Sequence, residues 1–307
     1  MSFGERFLEL PDLFPARASG ERWGGEEMTL NLAGERFRLE GLSRAQQRSV
    51  ESRFARFPGA AGEDTLPVVS RLFRVPQSEF VDIDAPAGVY VPEFDHSAQQ
   101  VRVAGWEFMA RLDWRQGSLE GSLWTSHDGG GRFLQACENY LRILTAYRLV
   151  EAGGALLHSA GAVEGGGAFL FCGASGAGKS TLTRLNVECG RPVLSDDLNG
   201  VHPGGGGMIA EPVPFAGDLP PEQISFQPRP LRALFHLVKA PRPELRPLGR
   251  GESVGLLLSC SPFVNQDPFR SDRLLANLER IARSVPTHVL AFAREPGFWQ
   301  LLEGLPE

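Results

Sequence analysis

The segment Gly173-Ala174-Ser175-Gly176-Ala177-Gly178-Lys179-Ser180 limits the fold of this chain more than any other part of its sequence. It matches the pattern G-x-x-x-x-G-K-[ST], in which a glycine-rich loop joins a strand to a helix. The apolar run Ala168–Cys172 precedes it, and the following pattern predicts a helix from about Lys179 to Glu188. Because glycines let the backbone approach an anion and a helix N-terminus attracts negative charge, the segment predicts a phosphate-binding loop.

The residue types in this loop suit a nucleotide. Residues 173–181, which end at Thr181, are predicted to cradle phosphates through successive N–H groups. Lys179 is a compact charge that can follow the β- and γ-phosphates, and the hydroxyl of Ser180 is a predicted Mg²⁺ ligand. The alternatives are a plain glycine-rich turn with an exposed lysine, or a loop that has lost nucleotide binding. Both are disfavoured, because the motif is intact and only Lys179 and Lys239 are lysines among 31 basic residues.

Two adjacent carboxylates, Asp196 and Asp197, follow the predicted strand Arg191–Ser195. Their spacing from the loop leaves room for a helix, a turn and one more strand, so we expect them to face the phosphates. One carboxylate can hold Mg²⁺, and Asp196 is a candidate metal ligand together with Ser180. The other can accept a proton from an attacking hydroxyl, which makes both aspartates candidate catalytic residues. Which of them is the base stays open, and an inert, solvated turn is the alternative reading.

His158 ends the apolar run Ala155–His158 shortly before the glycine-rich loop. Two neighbouring strands would bring its imidazole near the phosphate end of the predicted site, where it could contact a phosphate oxygen or orient an aspartate. A lone histidine in such a run is more often a satisfied core residue. From spacing alone, the structural reading is therefore favoured.

The remaining pattern predicts an α/β chain in two parts. Strands and helices alternate after residue 131, which is typical of α/β domains. Alternating apolar residues at 106–114 and 119–123 predict a β-hairpin, with Trp106 and Trp114 in the core. The glycine cluster at 127–131 predicts a boundary between a β-rich N-terminal α/β region of unknown role, 1–130, and a second domain, 131–307. Further predicted elements are helices at 43–57, 133–151 and 274–281, strands at 234–238 and 289–292, and a loop-rich stretch at 203–230.

Composition and charge exclude several classes of protein. Hydrophobic residues make up 42% and charged residues 22%, as in ordinary globular proteins. The net charge is −6 and neither half of the chain is basic, so we expect no nucleic-acid partner and no membrane partner. The N-terminus is unlike a signal peptide and no apolar run could span a bilayer, so we expect a cytoplasmic location. The cysteines lack zinc spacing and are interpreted as buried thiols of a reducing compartment: Cys137, Cys172, Cys189 and Cys260.

The order of His158, the ASGAGKS stretch at 174–180 and Asp196-Asp197 resembles the catalytic domain of HPr kinase/phosphorylase. The resemblance covers roughly residues 131–307 and is strongest across 155–200. It implies a P-loop kinase domain related to ATP-dependent phosphoenolpyruvate carboxykinase. It also implies ATP and Mg²⁺ as cofactors, and transfer of the γ-phosphoryl group of ATP to a serine hydroxyl. The family's active-site positions then fall on His158, Lys179, Ser180, Asp196 and Asp197, which raises the expectation that His158 is functional.

The chain also departs from that family. The second signature, E-[IV]-R-G-x-G, is absent, and FAGDLPPEQISFQ at 215–227 stands near its place. A stretch at 211–218 resembles a loop beside the nucleotide in diverged members. The resemblance therefore implies an HPr-kinase-like protein whose acceptor is an unknown serine-bearing protein or peptide, or a small molecule.

Several questions stay open at this level. The competing function is a nucleotide-binding ATPase switch without an acceptor, which needs one metal-binding carboxylate rather than two. Arg229 and Arg232 are candidate phosphate clamps, although a solvated surface role is favoured for both. The oligomeric state is undetermined, and a homo-oligomer is among the options.

Overall fold

A computed structural model of the 307-residue chain describes residues 20–54, 66–80, 92–215, 223–293 and 296–305. The chain divides into two compact units, Met1–Leu144 and Thr145–Glu307. Each unit contains a β-sheet and helices, so the protein is a mixed α/β protein, as predicted. The sequence-based boundary after residue 130 coincides with the start of a helix, Gly130–Glu151, and the units divide within that helix.

The elements of the first unit are β1 (Glu26–Leu32), β2 (Glu35–Leu42), α1 (Arg44–Phe54), β3 (Val68–Arg74), β4 (Glu93–His96), β5 (Gln100–Gly105), β6 (Phe108–Arg115) and β7 (Ser118–Thr125). The strands form a seven-stranded sheet in the order β1-β2-β3-β7-β6-β5-β4. The β2–β3 and β3–β7 pairs are parallel, and the other neighbours are antiparallel. The predicted helix at 43–57 is present as α1, with positions 55–57 outside the described residues.

The predicted hairpin is present as β6 and β7, but the prediction that Trp106 lies in the core was wrong. Trp106 is 40% exposed rather than in the core. It precedes β6 in a turn where Glu107 has a φ of 59°, so the alternation of the strand begins only at Phe108. Phe108 is fully buried, whereas Trp114 is half-buried.

The second unit follows the long helix α2 (Gly130–Glu151). The predicted helix after the glycine-rich loop is confirmed with the same bounds, and the predicted strands at 234–238 and 289–292 lie within longer strands. Its elements are β8 (Ala155–Glu164), β9 (Gly167–Cys172), α3 (Lys179–Glu188), β10 (Val193–Ser195), β11 (Leu198–Gly204), β12 (Gly207–Pro212), β13 (Arg229–Lys239), β14 (Glu244–Pro247), α4 (Arg250–Ser259), α5 (Ser271–Ser284), β15 (Thr287–Phe292) and α6 (Trp299–Leu302).

The sheet of the second unit places four strand ends at one edge. Strand β9 pairs with β13 in parallel and with β8 antiparallel, and β13 pairs in parallel with β15. Because β10 is also antiparallel to β8, the strands β10, β9, β13 and β15 all point the same way. Their carboxyl ends therefore lie along one edge, which is where open α/β sheets bind ligands.

A core of aromatic side chains packs against β9, the strand that precedes the glycine-rich loop. Phe171 on β9 stacks on Phe235 of β13 with ring centroids 5.1 Å apart, and Leu182 of α3 and Trp299 of α6 belong to the same buried cluster. The indole N–H of Trp299 donates to the side-chain oxygen of Asn186 on α3 at 2.7 Å. The loop is thus held between a packed strand and a packed helix.

Two sequence-based expectations for this unit were wrong, and one helix, α4, was not predicted. Part of the loop-rich stretch at 203–230 forms β12 and the start of β13. Gly205 and Gly206 adopt positive φ and close a tight β11–β12 hairpin there. Cys189 is exposed, since it caps the end of α3, whereas the other three cysteines are buried.

None of the helices in the described ranges has both the length and the apolar character that crossing a bilayer requires.

Candidate functional site

The glycine-rich loop leaves β9 at Gly173 and enters α3 at Lys179. A turn inside it is closed by the N–H of Ala177, which donates to the carbonyl of Ala174 at 3.0 Å. Gly178 caps the helix with a φ of 114°, and a Cβ atom there would lie 2.8 Å from the ring of Phe292. Both the backbone conformation and the close approach therefore require glycine at this position.

Lys179 is only 8% exposed and reaches back over the loop. Its ammonium donates to the carbonyl of Gly173 at 2.8 Å and to that of Ala174 at 3.3 Å. An ammonium has three donors, so one N–H remains for an incoming anion. The structure thus pre-orients the lysine at the loop rather than leaving it mobile in solvent.

The two aspartates are held by a turn at the end of β10. The hydroxyl of Ser195 accepts the N–H groups of Asp197 and Leu198, each at 3.2 Å. The N–H of Ser159 on β8 donates to the carbonyl of Asp197 at 3.0 Å. As a result, the Asp196 side chain is buried while that of Asp197 is 35% exposed.

His158 lies on β8 beside this turn. Its backbone N–H donates to the carbonyl of Cys260 at 2.7 Å, and its Nε2 lies 3.3 Å from Oδ1 of Asp197. Burial lowers the pKa of His158 below its usual 6.5, and the charge of Lys179 lowers it further, while Asp197 opposes both. The protein environment therefore favours the neutral imidazole over the imidazolium.

A cysteine under the loop is a feature that sequence analysis missed. A hydrogen bond from Cys172 lowers the pKa of the Cys260 thiol to about 6, and a bond from the N–H of Gly173 and the charge of Lys179 act in the same direction. The same contact raises the pKa of Cys172. Only the buried, apolar context of these cysteines was visible in the sequence, and it predicts inert thiols.

One cavity of about 660 Å³ collects most of the predicted site residues. Most of the glycine-rich loop lines it, whereas three predicted loop residues, Gly173, Ala174 and Ala177, do not. Four residues that were not predicted also line it: Lys239 at the end of β13 with Ala240 after it, and Phe292 at the end of β15 with Ala293 after it. The predicted residues in its wall are His158, Ser175, Gly176, Gly178, Lys179, Ser180, Thr181, Asp196 and Asp197.

Other candidates lie away from this cavity. The Arg232 guanidinium donates to the carbonyl of Gly165, in the β8–β9 turn at the opposite end of β9 from the loop. Arg229 contacts Gln227 at 3.3 Å instead. In the 211–218 stretch, Glu211 is buried against His202 at 3.1 Å, and positions 216–218 lie outside the described residues. The favoured surface reading of the two arginines fits these contacts.

The donor set in the cavity fits a magnesium ion that is bound mainly through a ligand's phosphates. Within the described ranges there is no cluster of three or more His, Cys, Asp or Glu side chains that could hold a metal alone. Magnesium in nucleotide sites is usually held by one or two carboxylates, phosphate oxygens and waters. Asp196 and the hydroxyl of Ser180, which both line the cavity, are oxygen ligands of this kind.

The fold and the cavity together define a mixed α/β protein with a glycine-rich loop between a strand and a helix at one sheet edge. Residues 133–305 match the profile of the family described as "SynChlorMet cassette protein ScmC". This match covers more than half of the chain, so the chain belongs to the SynChlorMet cassette protein ScmC family.

Other comparisons add little. No curated protein matches the sequence. A solved structure with some similarity is the Hpr(Ser) kinase/phosphatase from Coxiella burnetii, at 11% identity and a TM-score of 0.29, over 48% of this chain and 86% of that one. This is a weak, fold-level similarity.

The pKa of His158 should shift in opposite directions when the charge of Asp197 or that of Lys179 is removed. Removing the Asp197 charge in Asp197→Asn will lower the pKa of His158 further, because the carboxylate favours the imidazolium. Removing the lysine charge in Lys179→Ala will raise it. Both shifts can be followed by NMR titration of the six histidines, with His158 assigned by mutation. A wild-type pKa above 6.5, or shifts of the same sign in both variants, would contradict this geometry.

Proposed function

We propose that the protein is an ATP- and Mg²⁺-dependent kinase that transfers the γ-phosphoryl group to a serine hydroxyl of a protein or peptide. The observation that carries this proposal is a convergence in one cavity. The loop and Lys179 lie on its floor, and two carboxylates lie at its wall with His158 at 3.3 Å from Asp197. A switch that only binds nucleotide needs no carboxylate base beside the metal ligand, whereas transfer to a hydroxyl uses a proton acceptor.

The loop and Lys179 supply phosphate binding. The free N–H of the lysine and the first amides of α3 meet the β- and γ-phosphates at the positive end of the helix. At an effective dielectric constant of about 20, one such charge pair at about 4 Å is worth roughly 4 kcal/mol. Asp196 and Ser180 would hold Mg²⁺, which when bound neutralises charge on the phosphates.

Asp197 acts as the base in this proposal. The serine oxygen forms a bond to the γ-phosphorus, and the bond from that phosphorus to the β–γ bridging oxygen breaks. The bridging oxygen leaves with the electron pair as part of ADP, and the hydroxyl proton passes to the carboxylate of Asp197. Asp197 suits this role because it is the more exposed aspartate of the pair, and His158 orients its Oδ1.

The family name suggests where to look for the acceptor. Members are described as cassette proteins, so the first acceptors to test are the other products of the same cassette. An acceptor of this kind need not resemble HPr. This agrees with the absence from the chain of the second signature of HPr kinase.

The proposal is tested with the purified full chain, Mg²⁺ and ATP labelled at the γ-phosphate. Label on the serine of a cassette product, or on a polypeptide or metabolite of a lysate, supports a kinase. If label appears only as inorganic phosphate, the protein is an ATPase switch and the kinase proposal is wrong. If the chain binds neither ATP nor its Mg²⁺ complex in calorimetry, both functions are wrong.

A further inference from the structure

The cavity has two chemically different ends, on either side of the glycine-rich loop. On one side of β9, strands β8 and β10 bring His158, Asp196 and Asp197 to the edge. On the other side, the parallel strands β13 and β15 end in register, with Lys239 paired to Phe292. The loop that would hold phosphates therefore lies between a carboxylate end and a Lys239–Phe292 end.

The Lys239–Phe292 end has few charges. It consists of a buried phenylalanine ring, two alanines and the long side chain of Lys239. The ring of Phe292 also lies against Gly178, which ties this end to the loop itself. Lys239 is exposed, and among the described residues its side chain has no hydrogen bond or ion pair. Apolar side chains with a few polar groups that can contact a ligand are the usual lining of a small-molecule pocket.

The choice of lysine is itself informative. The cavity wall contains two basic side chains and both are lysines, although 29 of the 31 basic residues of the chain are arginines. A lysine differs from arginine in its slim, unbranched stem and its single compact donor group. At Lys239, such a stem can lie along a flat ligand without blocking the cavity.

We propose that Lys239, Ala240, Phe292 and Ala293 form the subsite for the nucleoside part of the nucleotide, its base and ribose. This inference rests on the proposed kinase function. The transferable phosphate must lie at the carboxylate end, because its base Asp197 is there. The other phosphates then run along the loop, and the nucleoside lies at the opposite end. A cavity of about 660 Å³ is in the range that ligands of this size occupy.

The side chains of this end can recognise a nucleoside in two ways. The methylene stem of Lys239 and the edge of Phe292 pack against the base, as apolar walls do with flat rings. The ammonium of Lys239 can donate to a ring nitrogen or a ribose oxygen, or lie over the base as a cation–π contact. Neither contact involves the phosphates, and this separates the subsite from the loop.

The separation makes the proposal testable by calorimetry with two ligands, ATP and inorganic tripolyphosphate, each with Mg²⁺. In Lys239→Ala the Kd for ATP should rise about tenfold, the effect of losing one well-placed cation and its stem, while the Kd for tripolyphosphate stays within about twofold. Lys239→Gln, which keeps part of the stem, should lie between wild type and alanine. Arg242→Ala, which removes a nearby exposed cation outside the cavity, is the matched control and should bind both ligands normally.

The possible outcomes separate this inference from the proposed function. If both ligands weaken equally in Lys239→Ala, Lys239 holds phosphate and the nucleoside subsite is wrong. The same holds if neither ligand weakens while wild type binds ATP. If wild type binds neither ATP nor tripolyphosphate, the proposed function and the subsite are overturned together. Circular dichroism of each variant confirms that a loss of binding is not a loss of fold.

Discussion

Replacing Lys179 by alanine will lower phosphoryl transfer about a thousandfold and leave the second unit folded. The loss follows from the charge pair between the ammonium and the transferring phosphate, since roughly 4 kcal/mol corresponds to about three orders of magnitude in rate. The fold survives because, among the described residues, the lost hydrogen bonds join the Lys179 ammonium only to the carbonyls of Gly173 and Ala174 within its own loop. Steady-state transfer of labelled phosphate and thermal unfolding measure the two effects.

Arg184→Ala is the matched control for this experiment. It removes a positive charge from the same helix, α3, but from an exposed position outside the cavity, so activity should be unchanged. Lys179→Arg tests shape, because a forked guanidinium retains the charge and cannot fit the loop in the same way. Full transfer activity in Lys179→Ala would contradict the proposed role of the loop.

The loop and its helix could be predicted from sequence because their signals are local. The glycines, the lysine and the hydroxyl occupy consecutive positions, and the helix that follows has the bounds expected from the pattern, Lys179–Glu188. The positive φ of Gly178 and its contact with Phe292 explain why glycine is needed there. The backbone requirement depends on neighbouring residues and is therefore visible in one sequence, whereas the contact with Phe292 is long-range and is not.

The far wall of the cavity could not be predicted in this way. Lys239 and Phe292 come from β13 and β15, and they meet the loop only through the parallel register of three strands distant in sequence. Nothing in a single sequence states that register. The scarcity of lysine singled out Lys239 but gave no location for it.

The carboxylate end is an intermediate case. The position of Asp196 and Asp197 opposite the loop was expected from spacing, but His158 was favoured only through a family resemblance. The structure brings His158 to Asp197 through two backbone bonds that no pattern encodes, from Ser159 to Asp197 and from His158 to Cys260. Sequence reasoning also missed α4. Its N-cap residue is Gly249, which has no side chain that could mark the start of the helix.

Asp197→Asn will lower transfer to the acceptor by a factor of about 10² to 10⁴ while ATP binding stays close to normal. Loss of a general base has an effect of this size, because the amide cannot accept the proton of the serine hydroxyl. The substitution is nearly isosteric, and the backbone contacts of Asp197 with Ser195 and Ser159 do not use the carboxylate. The rate is measured by label transfer and the affinity by calorimetry.

The result for Asp197→Asn is interpreted by comparison with Asp196→Asn, which removes the proposed metal ligand instead of the proposed base. If Asp196 holds the metal, its loss will weaken binding of the Mg²⁺–ATP complex and shift the Mg²⁺ dependence to higher concentrations, whereas Asp197→Asn will not. An ATPase switch can also use Asp197 to activate water, so the product of the reaction, a phosphorylated acceptor or inorganic phosphate, decides between switch and kinase. A kinase that uses Asp197 as its base loses transfer in Asp197→Asn and keeps its metal dependence. The two neighbouring aspartates therefore have separable roles, one measured by the rate of transfer and one by the affinity for the metal.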